Sequence, residues 1–317
     1  MAPGQISDVG EFGLIGKITE GLAMPSAVSV GPGDDAACFL VDGSCVLSTD
    51  MYVEGVHFRR DWSGGDDIGR KVVAATVADI EAMGATPLTL VVALGLPRDT
   101  DESWAKAFIA GVRTECERAG VALVGGDLSS APQVCVTVTV VGQTGVVAPV
   151  RRSGALPGQL VAMAGRLGWA AAGLAALGRG FRSPKAVVDA HRFPLVPYGA
   201  GREAALAGAT AMIDVSDGLL ADLGHIAEAS SVVIDLDKSR LTVAEPVAAV
   251  AQALGVDALS YVLTGGEDHA LVATFTLGDV PAGWSVIGKV LEPTRDLAIG
   301  VLVDGAVWPI PGGWQHF

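Results

Sequence analysis

Between Asp66 and Met83 the apolar residues Ile68, Val72, Val73, Val77, Ile80 and Met83 recur at helical spacing, and Gly84 ends the run. An amphipathic helix of this kind has one face to bury, so the flanking segments decide what it packs on. Upstream, Ala36–Val41 and Cys45–Val53 read as two strands joined by a turn at Asp42-Gly43-Ser44, a hairpin. Downstream, Leu88–Leu96 reads as a strand and Asp101–Ala119 as a helix ended by Gly120. Val121–Val124 then reads as a buried strand that ends at Gly125-Gly126-Asp127. Val134–Val141 alternates threonine with apolar residues, which predicts a strand with one wetter face.

Gly145–Gly158 is rich in glycine and proline, carries Arg151-Arg152, and separates two regions with their own strand and helix signals. The expected boundary lies near Val150, giving domains of residues 1–149 and 150–317. In the second half, Leu160–Ala164 is a strand followed by a helix of small residues. Ala211–Val215 is a strand and Leu219–Ala229 a helix. Val232–Leu236, His269–Phe275 and Trp284–Val290 add strands, and Asp304-Gly305 between Val301 and Val307 is a hairpin turn. The fold class is therefore α/β in two domains, a strand-rich α/β N-terminal domain and a C-terminal mixed α/β domain. At 317 residues each domain is long enough to bury a core, and 42 glycines with only 5% aromatics suit tightly packed layers.

No run of about 20 uninterrupted apolar residues occurs. The most apolar segment, Leu160–Leu177, is broken by Arg166 and by glycines, so no membrane association is expected. Met1–Gly16 has no basic stretch followed by an apolar run, which makes the cytoplasm the expected compartment. Cys38, Cys45, Cys116 and Cys135 lack CxxC spacing and fit reduced thiols. A formal charge of -14 disfavours nucleic acid, which needs a basic surface, but allows nucleotide binding if metal ions bridge carboxylate to phosphate.

Six short clusters concentrate the chemistry. Gly31-Pro32-Gly33-Asp34-Asp35 delivers two carboxylates to a strand start, where a solvated turn is the plainer alternative. Ser48-Thr49-Asp50 ends an otherwise apolar strand, and His57 follows. Asp79 lies toward the apolar side of its helix, where a salt bridge competes with a ligand role. Gly125-Gly126-Asp127 permits close backbone approach and then presents an acid, or is only a tight turn. In Asp214-Val215-Ser216-Asp217-Gly218, Ser216 or Asp217 could cap the next helix, whereas Asp214 lies inside an apolar strand. The last is Gly265-Gly266-Glu267-Asp268.

Acids at strand ends and in apolar surroundings, with few basic partners nearby, would repel one another without cations. A shared cluster of divalent metals is the economical reading, and hard oxygens suit Mg²⁺. No GxxxxGK[ST] loop, protein-kinase signature, HExxH or GxSxG is present.

With these clusters in order, the sequence resembles the thiamine-monophosphate kinases, which belong with aminoimidazole ribonucleotide synthetase in an ATP-binding superfamily. The resemblance runs from Glu11-Phe12-Gly13-Leu14-Ile15 through Val56-His57-Phe58, Ala82-Met83-Gly84-Ala85 and Arg152-Ser153-Gly154 to Trp314-Gln315-His316-Phe317. It implies a homodimer whose N-terminal domains pair strands, converting thiamine phosphate to thiamine diphosphate with ATP and several Mg²⁺ ions. Carried over by position, Asp35, Ser48, Thr49, Asp50, Asp79, Asp127, Asp214 and Asp217 become metal ligands, with Asp34 less defined. Gly126, Asp127, Arg152 and Ser216 become ATP contacts, and His57, Glu267 and Trp314 substrate contacts. Asp50, Asp127 and Arg152 become the catalytic set.

The chemistry agrees with the resemblance. A phosphate monoester with second pKa near 6 is already ionised at neutral pH, so the acceptor needs no general base. The barrier is repulsion between anions, which metals and one arginine such as Arg152 would relieve during direct in-line transfer. His57, Arg152 and Trp314 have plainer alternatives as a packing residue, a linker charge and a C-terminal anchor. ATP-dependent ring closure and metal-loaded nucleotide sensing are the rival functions.

Overall fold

The computed structural model describes residues 11–32, 36–310 and 313. The chain divides into two compact units, the described residues of Met1–Ile80 with Thr86–Val146, and Glu81–Ala85 with the described residues of Val147–Phe317.

The first unit opens with α1 (Glu11–Thr19) and a small antiparallel pair, β1 (Val28–Val30) and β2 (Cys38–Phe39). Next come β3 (Cys45–Val53), α2 (Gly65–Ala82), β4 (Thr86–Leu96), α3 (Glu102–Ala119), β5 (Ala122–Ser130) and β6 (Cys135–Gln143). The strands form one sheet in the order β3-β6-β4-β5. β4 and β5 run parallel because α3 crosses between them, and the other pairs are antiparallel. On β6 the residues Val136, Val138 and Val140 are fully buried while Thr137 and Thr139 are half-buried, the alternation that the threonine pattern predicts. Of the helix stripe, Ile68, Val72, Val73, Val77 and Ile80 are buried, whereas Met83 lies past the helix end and is only half-buried.

Two expectations are corrected here. The proposed hairpin does not form, since β2 pairs with β1 and β3 pairs with β6. The Asp42-Gly43-Ser44 bend faces a segment about a hundred residues away. The Asp42 N–H donates to Gln143 Oε1 at 2.9 Å and the Ser44 N–H to Thr144 Oγ1 at 2.9 Å. Nor does the strand end at Gly125-Gly126-Asp127, which lies within β5. A Cβ on Gly126 would stand 2.0 Å from the Val92 carbonyl oxygen, so glycine there permits the strand to close on β4.

The second unit holds β7 (Leu160–Ala164), α4 (Trp169–Gly178), α5 (Lys185–Arg192), α6 (Ala200–Leu206), β8 (Ala211–Asp214), α7 (Leu219–Ser230) and β9 (Val233–Leu236). It continues with α8 (Glu245–Leu254), α9 (Ala258–Thr264), β10 (Leu271–Phe275), β11 (Ser285–Leu291) and β12 (Gly300–Val303). The sheet order is β12-β9-β11-β7-β10-β8, antiparallel except for β12 beside β9. Both faces are covered. Val161, Ile213 and Val272 pack with Leu219, Leu223 and Ile226 of α7, whereas Ala162, Met212, Leu271 and Phe275 join Ala204 and Trp284 on the other face. Glu81, in the last turn of α2, accepts hydrogen bonds from the N–H groups of Gly199 (2.9 Å) and Gly201 (3.1 Å). Burial pushes its pKa up to about 7 against those two bonds.

Candidate active site

Along β3 the pleat sends Ser48, Asp50 and Tyr52 toward the helices and Leu47, Thr49 and Met51 away from them. Facing the first set, Val72, Thr76 and Asp79 occupy one side of α2 at i, i+4 and i+7. Ser48 Oγ donates to Asp79 Oδ2 at 2.5 Å. The Tyr52 hydroxyl donates to Asp50 Oδ2 at 3.2 Å and lies 2.9 Å from Thr76 Oγ1. Burial, and then the charge of Asp50 with a smaller part from Asp79, raises the Tyr52 pKa well above its ordinary value. Just beyond the strand, the Val53 N–H donates to His57 Nδ1 at 3.0 Å, which puts the proton of a neutral ring on Nε2. Thr49 turns the other way, with its Oγ1 2.9 Å from Thr139 Oγ1.

Asp127 is at the far edge of the same sheet. Asp50 shares a row with Val138, Val92 and Gly126, and Asp127 falls in the next row with Ala93, Thr137 and Met51. The two acids are separated by three strand spacings, about 14 Å. That exceeds what one ion can span at carboxylate–metal distances of about 2 Å on each side. Asp127 Oδ2 accepts from Ser129 Oγ at 3.2 Å.

In the second unit the acids lie on two interlocked turns. Asp214 ends β8, is buried, and its Oδ2 lies 2.9 Å from His269 Nδ1. The Glu267 N–H donates to the Ser216 carbonyl at 2.8 Å and the His269 N–H to that of Val215 at 2.9 Å. A Cβ on Gly266 would meet the Ser216 carbonyl oxygen at 2.3 Å, so the turns touch through bare backbone. Glu267 and His269 adopt left-handed conformations, φ 66° and 51°. Neither Ser216 nor Asp217 caps α7. Instead Asp222 accepts from the N–H groups of Asp217 (3.1 Å) and Gly218 (3.0 Å). Burial, then the Asp214 charge, pushes Asp222 up to about 7. Asp268 accepts from the N–H groups of Trp169 (3.1 Å) and Ala170 (2.9 Å) at the start of α4, and burial pushes it up to about 7. Glu267 Oε2 lies 3.2 Å from His191 Nδ1, and Arg152 is exposed.

Of the sequence-derived candidates, the structure brings together Ser48, Asp50 and Asp79 in one group and Asp214, Ser216, Asp217 and Glu267 in another. Thr49 and Asp127 stand apart from the first group. Asp34, Asp35 and Trp314 lie outside the described residues. Tyr52, Thr76, Asp222, Asp268 and His269 carry no assignment from sequence. Asp222 had one signal, an acid in the first helical turn after Asp217-Gly218. Among the described residues no three His, Cys, Asp or Glu side chains converge on one point. The donors themselves, all carboxylate and hydroxyl oxygens, fit a hard cation such as Mg²⁺.

Residues 33–144 match the family described as AIR synthase related protein, N-terminal domain. The chain is 49% identical over 315 residues to the thiamine-monophosphate kinase of Mycobacterium tuberculosis H37Rv, covering 98% of this chain and 93% of that protein. A crystal structure of thiamine-monophosphate kinase from Stenotrophomonas maltophilia K279a superposes with a TM-score of 0.79 at 31% identity, covering 92% of this chain and 95% of that one. The structure of AaThiL complexed with AMPPCP and TMP superposes with a TM-score of 0.80 at 30% identity over 100% of both chains.

Proposed function

Because the chain belongs to the thiamine-monophosphate kinase family, we propose that it transfers the γ-phosphoryl group of ATP to thiamine phosphate, giving thiamine diphosphate. The observation that carries this reading is full-length likeness to a protein solved with AMPPCP, an ATP analogue, together with TMP. The further elements, Mg²⁺ dependence, direct in-line transfer and a homodimer, belong to the same proposal.

Asp35, Ser48, Thr49, Asp50, Asp79, Asp127, Asp214 and Asp217 would hold the Mg²⁺ ions. Bound there, the ions would screen the charge of two phosphate groups. The chain's own groups do the rest. The Arg152 guanidinium, exposed to solvent, is available to a transferring phosphoryl group, while Gly126 and Ser216 would meet ATP. His57 would meet the acceptor, Glu267 would favour a cationic ring, and Trp314 would lie against it. Since the acceptor phosphate is already ionised, no residue has to take a proton, and no nucleophile–base pair is needed. Residues 1–149 would thus hold metal and ATP, and residues 150–317 would complete the ATP and substrate site.

The homodimer is supported by the sheet of the first unit. The side of β3 and β4 turned away from the helices exposes Leu47 (65%), Met51 (60%) and Val91 (36%), an apolar face that a second copy would cover. Asp127 shares that side, so a second copy packed there would stand beside it.

Among the described residues no single helix is long and apolar enough to cross a membrane. A coupled assay of ADP release tests the activity. Thiamine phosphate should be turned over, thiamine very poorly, and phosphorylated sugars lacking a cationic ring not at all. Equal rates with thiamine would remove the two-phosphate argument, and activity only with a purine precursor would favour ATP-dependent ring closure.

A further inference from the structure

Tyr52 touches two groups that the proposed function uses for different purposes. Its hydroxyl reaches Asp50, its ring makes a T-shaped contact with the His57 imidazole with centroids 6.0 Å apart and planes at 77°, and the residue is 7% exposed. The hydroxyl contacts are constrained by proton count. Three contacts, Tyr52 to Asp50 (3.2 Å), Tyr52 with Thr76 (2.9 Å) and Thr76 to the Val72 carbonyl (2.9 Å), share only two hydroxyl protons. Asp50 and the Val72 carbonyl can only accept. The anionic carboxylate is the stronger acceptor, so the Tyr52 proton belongs to Asp50, and Thr76 divides its own between Tyr52 and Val72.

We propose that Tyr52 is a positioning residue that fixes Asp50 through its hydroxyl and His57 through its ring, so that one buried side chain sets the geometry of both the metal-side acid and the substrate-side imidazole. Asp50 sits on a strand, where more than one χ1 rotamer is open to a side chain. The tyrosine hydroxyl selects one rotamer, and the helix behind it, through Thr76, keeps that hydroxyl in place. His57 is held at Nδ1 by the Val53 N–H, which fixes its tautomer. The T-shaped contact with Tyr52 restrains its ring as well. The two functions are separable because one lies in the oxygen and the other in the ring.

This inference rests on the proposed roles of Asp50 and His57, and the experiment is built to tell the two apart. The probe is Mn²⁺ binding to the full chain without nucleotide, followed by its electron paramagnetic resonance signal, alongside the KM for thiamine phosphate. Tyr52→Phe should weaken Mn²⁺ binding about ten-fold, the range for lost supporting contacts to a ligand, and leave KM for thiamine phosphate unchanged. Tyr52→Leu should weaken Mn²⁺ binding equally and also raise that KM several-fold. Thr76→Val, isosteric and one step removed, should weaken Mn²⁺ binding in the same direction by less, which keeps the test open if a Tyr52 variant fails to fold. Wild-type Mn²⁺ binding by Tyr52→Phe and Thr76→Val, with Asp50→Asn impaired, overturns the inference alone. Wild-type binding by Asp50→Asn overturns the assignment of Asp50 and the inference with it. Equal KM values for Tyr52→Phe and Tyr52→Leu overturn the ring half of the proposal.

Discussion

His269 Nδ1 lies 2.9 Å from Asp214 Oδ2, both residues are less than a tenth exposed, and the pair ties the end of β8 to the turn before β10. The histidine does this from a left-handed backbone conformation, φ 51°. Two requirements therefore meet at one position, a polar group for Asp214 and tolerance of positive φ.

Those requirements rank substitutions. His269→Asn keeps a polar side chain and tolerates the left-handed region, His269→Ala loses the partner, and His269→Val adds β-branched strain. His269→Ala should cost about 1–3 kcal/mol, His269→Asn less and His269→Val more, measured as shifts in the urea midpoint. Equal midpoints for the three would mean that neither requirement operates.

Asp50→Asn and Asp127→Asn should each lower turnover roughly 10²-fold or more with the fold intact. Mixing the two variants adds a sharper test, because the acids stand at opposite edges of one sheet. If each site draws them from different copies, a mixed dimer contains one doubly altered and one intact site, and co-refolded material regains activity. If one copy supplies both, every site in the mixture is damaged and no activity returns.

Stability should depend on pH in the direction set by Glu81, Asp222 and Asp268, whose pKa values burial raises to about 7. A carboxyl with a folded pKa above its unfolded value binds protons preferentially in the folded state, so stability rises as pH falls through 7 toward the unfolded range near 4. The melting temperature of metal-free protein should therefore increase between pH 8 and pH 5. Glu81→Gln should flatten part of that slope. Below this window the carboxylates with lowered pKa, Glu102, Asp237 and Asp304, act in the opposite sense.

Gly126→Ala should destabilise by about 1–3 kcal/mol, since its Cβ would meet the Val92 carbonyl and force β5 away from β4. Thermal unfolding reports the loss. Turnover should fall further than stability alone explains, because Asp127 moves with the displaced strand.

Periodicity made β3, α2 and β6 legible from sequence, since each carries its own pattern over nine residues or more. The hairpin failed for the reason that period two states a strand without stating its partner. Asp42-Gly43-Ser44 has the composition of a hairpin turn, but its hydrogen bonds go to Gln143 and Thr144. The double glycine at 125 and 126 likewise looks like a chain reversal, and only the proximity of Val92 reveals a close strand approach. In the site, Asp214 was visible as an acid inside an apolar run. Tyr52, in contrast, reads as an ordinary strand aromatic until α2 brings Thr76 to it, and the partners of Asp268 show only where the start of α4 meets its carboxylate. Such roles live in distances between segments far apart in the chain, where no local pattern records them.

The left-handed residues at 267 and 269 bear on where the polypeptide tolerates being cut and rejoined. In an extended segment alternate side chains point the same way, yet here Glu267 reaches toward His191, Asp268 toward Trp169 and Ala170, and His269 toward Asp214. Three consecutive residues thus fasten three separate stretches of the second unit. By composition Gly265-Gly266-Glu267-Asp268 looks like an obvious place for new termini in a circular permutant or for a protease site. It is a poor one, because a nick there releases all three fastenings together. The exposed bend at Thr276–Asp279, between β10 and β11, carries no such duty and is where a permuted chain should still fold.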